Sequence, residues 1–263
     1  MADLLAERGV SVVLVDDQRN AAEQVALELG RSTRVIGPSE LAGAGVEVVV
    51  RSPGVSRYRP ELLDAEREGV EVTTAMAVWL EDFADARVLA VTGTKGKSTT
   101  AALAAAILRA TGTDAALIGN IGVPVTDTYG QARAGAYVVE VSSYQAADVT
   151  VTPGVCVLTS LAPDHLDWHG GLEHYYRDKL RLAWAGPVGE LAVNAASGEA
   201  VRRTAEHPRR ILFGPAGRVH VGPGGIVEVD GEPLADTARL RVPGLHNRWN
   251  LCGALAGVLL LEG

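Results

Sequence analysis

Cysteine and phenylalanine are scarce in this 263-residue chain, with two of each. Cys156 and Cys252 lie far apart inside apolar runs, so they are expected as buried thiols, neither a disulfide nor a metal pair. A reducing, cytoplasmic setting is therefore the default. No stretch of about 18 apolar residues occurs, and the first residues lack a signal-peptide pattern, so no membrane insertion is expected. Positive charge is also short. The 24 Lys and Arg against 32 Asp and Glu leave a net charge of −8. A protein that tracks nucleic acid needs a basic field that releases counterions, and this chain offers none. An anionic small substrate stays open, because it needs only a local positive site.

What is present is aliphatic. Hydrophobic residues make up 47% of the chain and glycine is abundant at 30 residues, which predicts many tight turns and a core of Ala, Val and Leu. The length suits about two domains. Apolar runs alternate with helical patterns, the signature of an α/β fold. Strands are expected at 11–17 and 46–54, helices at 21–30 (closed by Gly30) and 60–69, and a short strand with a helix across 70–84. Residues 85–87 read as a linker, giving one domain over 1–86 and a second over 87–263. The second runs strand 88–91, a glycine loop, helix 98–110, and strands at 114–118, 136–141 and 155–160. Helix 173–185, strand 190–193, helix 197–206 and strand 210–213 follow. Three short segments with a hairpin signal at 229–232 come next, then a helix from about 247. The opening MADLLAERG reads as the end of a helix that should follow a strand, and the last helix simply stops. The expectation is a chain short at both ends.

The loop Gly93-Thr94-Lys95-Gly96-Lys97-Ser98-Thr99 misses the strict phosphate-loop pattern, because its leading glycine would fall on Val91. Its context is a strand before and a helix after, so backbone N–H groups and the helix N-terminus would cradle a phosphate. Lys97 would reach the β/γ-phosphates and Ser98 would contact Mg²⁺. The plainer alternative is a glycine-rich turn with exposed lysines. In YVVEVSSYQ, Glu140 ends a strand where a further Mg²⁺ contact is expected, although a solvated acid fits the same pattern. Asp164, His165, Asp167 and His169 crowd one loop, followed by Tyr175, Tyr176, Lys179 and Arg181 on a helix. That loop follows a strand, where open α/β sheets place their sites. Its spacing is not that of a zinc site. Asn247 and Asn250 open the last helix; Asn247 reads either as an N-cap or as an amide facing an adenine edge.

Taken in order, GTKGKST, GNIG, EVSSYQ, APDHLDWHG, YYRDKL and HNRWN resemble the Mur ligases, and SSYQ with HLDWHG resembles the glutamate-adding branch. The resemblance implies a partial Rossmann-like, UDP-binding domain at 1–86. It implies an ATP-binding central domain at 87–263 and a further C-terminal domain that this chain lacks. It implies an ATP-dependent amide-bond ligase of peptidoglycan precursor synthesis, acting through an acyl phosphate on UDP-N-acetylmuramoyl-L-alanine and glutamate, and monomeric. Lys97 would bind ATP, with Gly93 to Thr99 around it and Asn247 and Asn250 near the adenine. Ser98 and Glu140 would hold one Mg²⁺, and His165 with a carbamylated Lys179 a second. Asn120, Ser142, Gln145 and His165 would meet the muramoyl substrate, and Asp16, Asp17, Ser52, Pro53 and Gly54 the uridine. Lys95 stands where the family commonly has Asn. With TTAMAVWL and SLAPDHLDWHG it resembles a subgroup that adds L-glutamate instead of D-glutamate. The incomplete ends imply that this chain is inactive alone. Two competing expectations are a folylpolyglutamate-type ligase, disfavoured by HLDWHG, and a non-catalytic protein binding a nucleotide or UDP-sugar.

Overall fold

Short apolar strands followed by helices recur from the first residues. The computed structural model describes residues 1–29 and 33–263, with the backbone alone at Arg239. The expected helix closure at Gly30 lies outside the described residues. Contacts divide the chain into two units, Met1–Ala75 and Met76–Gly263.

The first unit holds α1 (Ala2–Glu7), β1 (Val13–Val15), α2 (Arg19–Glu28), β2 (Arg34–Ile36), β3 (Val48–Arg51), α3 (Pro60–Arg67) and β4 (Glu71–Thr74). β1 pairs with β2 and β3 with β4, both in parallel. Pro60 opens α3, where a missing N–H costs nothing. Leu41, Leu62 and Ala65 form a small core with Val49 and Val72 against them.

The second unit begins with α4 (Ala75–Asp82), β5 (Val88–Thr92), α5 (Lys97–Ala110), β6 (Ala115–Gly119), β7 (Ala136–Glu140), α6 (Ser143–Ala146) and β8 (Val155–Leu158). It continues with α7 (Leu166–His169), α8 (Leu172–Trp184), β9 (Glu190–Asn194), α9 (Gly198–Arg203) and β10 (Arg210–Phe213). β11 (Val219–Val221), β12 (Ile226–Val229), β13 (Glu232–Asp236) and α10 (Leu245–Glu262) complete it. By contacts α4 goes with this unit, whereas the sequence expectation set it before the linker. Its Trp79 stacks on Phe83 with centroids 4.6 Å apart, meets Tyr137 edge-on at 5.2 Å, and donates from Nε1 to Thr128 Oγ1 at 2.8 Å.

The nine strands run β6-β7-β5-β8-β9-β10-β11-β12-β13. Pairing is parallel as far as β11 and antiparallel beyond it. The β12–β13 hairpin turns at Asp230 (φ 53°) and Gly231 (φ 88°), the positive-φ pair that a two-residue turn requires. One face of the sheet carries α5 and α10. Ala101, Ala104, Ala105 and Leu108 of α5, and Cys252, Ala254, Ala256 and Val258 of α10, share a core with Leu89, Val91 and Val157. Small residues let these helices sit close to the strands. A Cβ on Gly257 would stand 2.7 Å from Val157 Cγ2 and 2.9 Å from Leu89 Cδ1. Both cysteines are buried free thiols, and burial pushes Cys156 up to about 12 and Cys252 up to about 11. Among the described residues no helix is long and apolar enough to cross a membrane.

Candidate active site

The central strand β5 pairs with β7 on one side and β8 on the other, all parallel, so the chain reverses its winding direction around it. Open α/β sheets bind ligands beyond the carboxyl ends of strands at such a point. There the loop 93–96 turns into α5. Only glycine fits two of its positions. Gly93 has φ 147°, and a Cβ there would lie 2.0 Å from Thr159 Oγ1; Gly96 has φ 90° and would meet Asn250 Oδ1 at 2.5 Å. No side chain caps α5, which leaves its N-terminus a ready anion site.

The loop is braced from β8, a support the sequence reading missed. Thr94 N donates to Ser160 O (2.9 Å), Lys95 N to Ser160 Oγ (2.9 Å), and Thr159 Oγ1 to Lys95 O (2.6 Å). Thr94 Oγ1 also lies 2.7 Å from the Tyr175 hydroxyl. The Thr-Ser pair just after β8 was the available signal, since two hydroxyls beside a glycine loop can hold its backbone groups.

Two lysines reach the loop. Lys97 Nζ donates to Thr94 O at 3.3 Å and Lys179 Nζ to Gly93 O at 3.0 Å. Burial lowers Lys97 from its ordinary value, opposed by Glu140 and Asp164 and reinforced by Lys95. Lys179 is 2% exposed, and burial followed by repulsion from Lys97 brings it down to about 7. Lys95 is exposed, with its ammonium 3.9 Å from Asp164 Oδ2, while Ser98 is exposed on the first turn of α5 and Thr99 half-buried.

Glu140, at the end of β7, is 1% exposed. Its Oε1 accepts from Asn120 Nδ2 at 3.1 Å, and its Oε2 is buried without a hydrogen-bond partner. An orphaned carboxylate oxygen is a ready ligand for a hard cation such as Mg²⁺. Among the described residues no three acidic, histidine or cysteine side chains form a closed metal cage.

Gly93, Thr94, Lys97, Ser142, Ser143, Tyr144, Asp164, His165, Tyr175 and Lys179 line one cleft. His165 is in the left-handed region (φ 50°), and its ring tilts on Tyr144 at 5.0 Å. Ser142 caps α6: Gln145 N donates to its Oγ (3.2 Å), and its own N–H donates to Gln145 Oε1 (2.9 Å). Of the crowded loop residues, Asp164 and His165 enter the cleft, Asp167 is exposed, and His169 is fully buried. The N-cap of α10 is Gly244, so Asn247 does not fill that position. Asn247 Nδ2 donates to Pro243 O (2.8 Å) and Asn250 Nδ2 to Asn247 Oδ1 (3.1 Å), with Asn250 set against Gly96. In the first unit, Asp16 Oδ1 accepts from Gln18 N (2.6 Å), while Asp17 accepts from Arg59 Nη1 and Nη2 at 2.8 and 3.1 Å. The Arg59 bond holds the Asp17 carboxyl below its usual range. Ser52, Pro53 and Gly54 form the exposed turn after β3.

Fold and site together define an α/β protein with a phosphate-type loop at the sheet's switch point. Residues 91–258 match the Mur ligase middle domain, and the chain belongs to the Mur ligase family. It is 40% identical, over 96% of its length and 56% of the relative's, to a UDP-N-acetylmuramoyl-L-alanine--L-glutamate ligase of Micromonospora sp.. It is 43% identical to the enzyme of that name from Salinispora tropica, over 84% of this chain and 48% of the relative. The chain thus spans about half the length of the curated relatives it matches. The MurF ligase of Thermotoga maritima, solved in complex with ADP, shares the fold at a TM-score of 0.58 and 14% identity, over 95% of this chain and 60% of that one. The UDP-N-acetylmuramate:L-alanyl-gamma-D-glutamyl-meso-diaminopimelate ligase from Neisseria matches at 0.57 and 20% identity, over 100% and 89%.

Proposed function

We propose that this chain is the nucleotide-binding part of an ATP-dependent ligase of peptidoglycan precursor synthesis, working in the cytoplasm. The enzyme would join glutamate to UDP-N-acetylmuramoyl-L-alanine. The relatives' printed names favour L-glutamate over the D enantiomer. The observation that carries the reading is the convergence of Lys97 and Lys179 on one cleft beside the α5 N-terminus, with the orphaned Glu140 carboxylate at the neighbouring strand end. Residues 1–86 would take the uridine through Asp16, Asp17 and Ser52 to Gly54. Residues 87–263 would take ATP, with Asn247 and Asn250 toward the adenine.

In the first step an oxygen of the substrate's alanyl carboxylate attacks the γ-phosphorus and ADP leaves. The glutamate amine then attacks the acyl carbon, loses a proton, and displaces phosphate. Both reactants of the first step are anions, so Lys97 and the loop N–H groups must offset their repulsion. Ser98 and Glu140 would hold one Mg²⁺, and His165 with carbamylated Lys179 a second, neutralising charge on the phosphates. Carbamylation needs a neutral amine, scarce at pH 7 for a lysine of ordinary pKa ~10.4 but abundant at about 7. The carbamate nitrogen keeps one N–H, enough to preserve the donation to Gly93 O. Asn120, Ser142 and Gln145 would orient the muramoyl substrate. Calorimetric titration of ATP·Mg²⁺ tests the reading. Lys97→Ala should weaken binding by about 10- to 100-fold, the loss of one charge-assisted contact; equal affinity would make the loop structural only.

A further inference from the structure

His169 is the fully buried member of the crowded loop, and the ligase chemistry gives it no part. Its Nδ1 lies 2.7 Å from Asp178 Oδ2 and its Nε2 3.0 Å from Ser143 Oγ. All three side chains are buried, at 0%, 3% and 3% exposure. The array joins three elements that border the cleft: Ser143 opens α6, His169 closes α7, and Asp178 precedes Lys179 on α8. Ser143 itself lines the cleft.

The chemistry gives the array a direction. In the neutral imidazole the tautomer is assigned from its partners: facing a carboxylate, Nδ1 carries the proton and donates to Asp178, which leaves Nε2 as the acceptor of the Ser143 hydroxyl proton. With its only proton committed, Ser143 Oγ can offer the cleft nothing but lone pairs. We propose that Asp178 and His169 are positioning residues that fix Ser143 as a hydrogen-bond acceptor for a water carried by the divalent cation in the phosphate cleft. This rests on the ATP·Mg²⁺ reading above. Cation-bound water is a strong donor, and a hydroxyl free to rotate would present its proton to it part of the time.

Calorimetry on the intact chain tests this with ATP in excess Mg²⁺ and with ATP in EDTA. Ser143→Ala should weaken ATP·Mg²⁺ binding about 5- to 10-fold, the worth of one net hydrogen bond, and leave metal-free ATP binding unchanged. Asp178→Asn keeps the shape but reverses the array, since the amide can donate to Nδ1 and Nε2–H then donates to Ser143. It should give the same metal-specific loss, and the double variant should be no worse than Ser143→Ala alone. Equal losses with and without metal would reduce the array to packing and overturn the proposal, as would a Ser143→Ala chain with wild-type affinity in both conditions. A wild-type chain that binds no ATP·Mg²⁺ would instead remove the nucleotide reading, and this inference with it.

Discussion

Replacing Lys179 with methionine should stabilise the metal-free protein at neutral pH, by an amount that vanishes in alkali. The amine is 2% exposed and brought from an ordinary 10.5 to about 7, mainly by burial. At 1.36 kcal/mol per pKa unit that gap corresponds to roughly 5 kcal/mol against the fold when both states are protonated, below about pH 7. Between about pH 7 and 10.5 the unfolded chain holds the proton that the folded chain has released, so wild-type stability climbs by about 1.4 kcal/mol per pH unit. Lys179→Met has no such climb, and it forfeits the bond to Gly93 O, worth about 1 kcal/mol. The variant should therefore be about 3 kcal/mol more stable at pH 7, and the two chains should converge near pH 9.5. Urea unfolding followed by tryptophan fluorescence measures this, because Trp79, Trp168, Trp184 and Trp249 all lie in the second unit. Buffers need to be free of CO₂ and contain chelator, so that the free amine is the species measured. Parallel stability profiles across pH 7 to 9.5 would refute the depressed lysine.

Two further outcomes follow from packing and from the orphaned acid. Gly257→Ala puts a methyl 2.7 Å from Val157 Cγ2 and should lower stability by about 1–3 kcal/mol while leaving ATP affinity unchanged, as melting and calorimetry would report. Glu140→Gln retains the acceptor for Asn120 but removes the negative charge, so Mg²⁺ should no longer improve ATP binding by calorimetry.

The sequence made the α/β alternation legible because strand and helix lengths there are carried by local pattern: β10 falls at 210–213 as expected, and α5, β7 and α8 within a residue or two. β2 escaped notice because three residues carry no period, and the strand exists through pairing with β1. The glycine loop, Glu140 and Lys179 could be read from their positions at strand and helix ends. What holds them could not. Thr159 and Ser160 brace the loop across more than sixty residues of chain, and Asp178 meets His169 only because α7 and α8 fold back on each other. Trp79 drew α4 into the second unit by ring packing that no local pattern encodes. His169 looked like a site residue from its neighbours, yet it is buried beneath the cleft.

The central claim is that the γ-phosphoryl group passes to a substrate carboxylate. Isotope transfer tests it most directly: the ligase of which this chain is proposed to be the nucleotide-binding part is incubated with ATP, Mg²⁺, L-glutamate and UDP-N-acetylmuramoyl-L-alanine carrying ¹⁸O in its alanyl carboxylate. An acyl phosphate leaves one carboxylate oxygen on the departing phosphate, so the account predicts ¹⁸O in the released phosphate, formed in step with amide. Amide formation with unlabelled phosphate would contradict it.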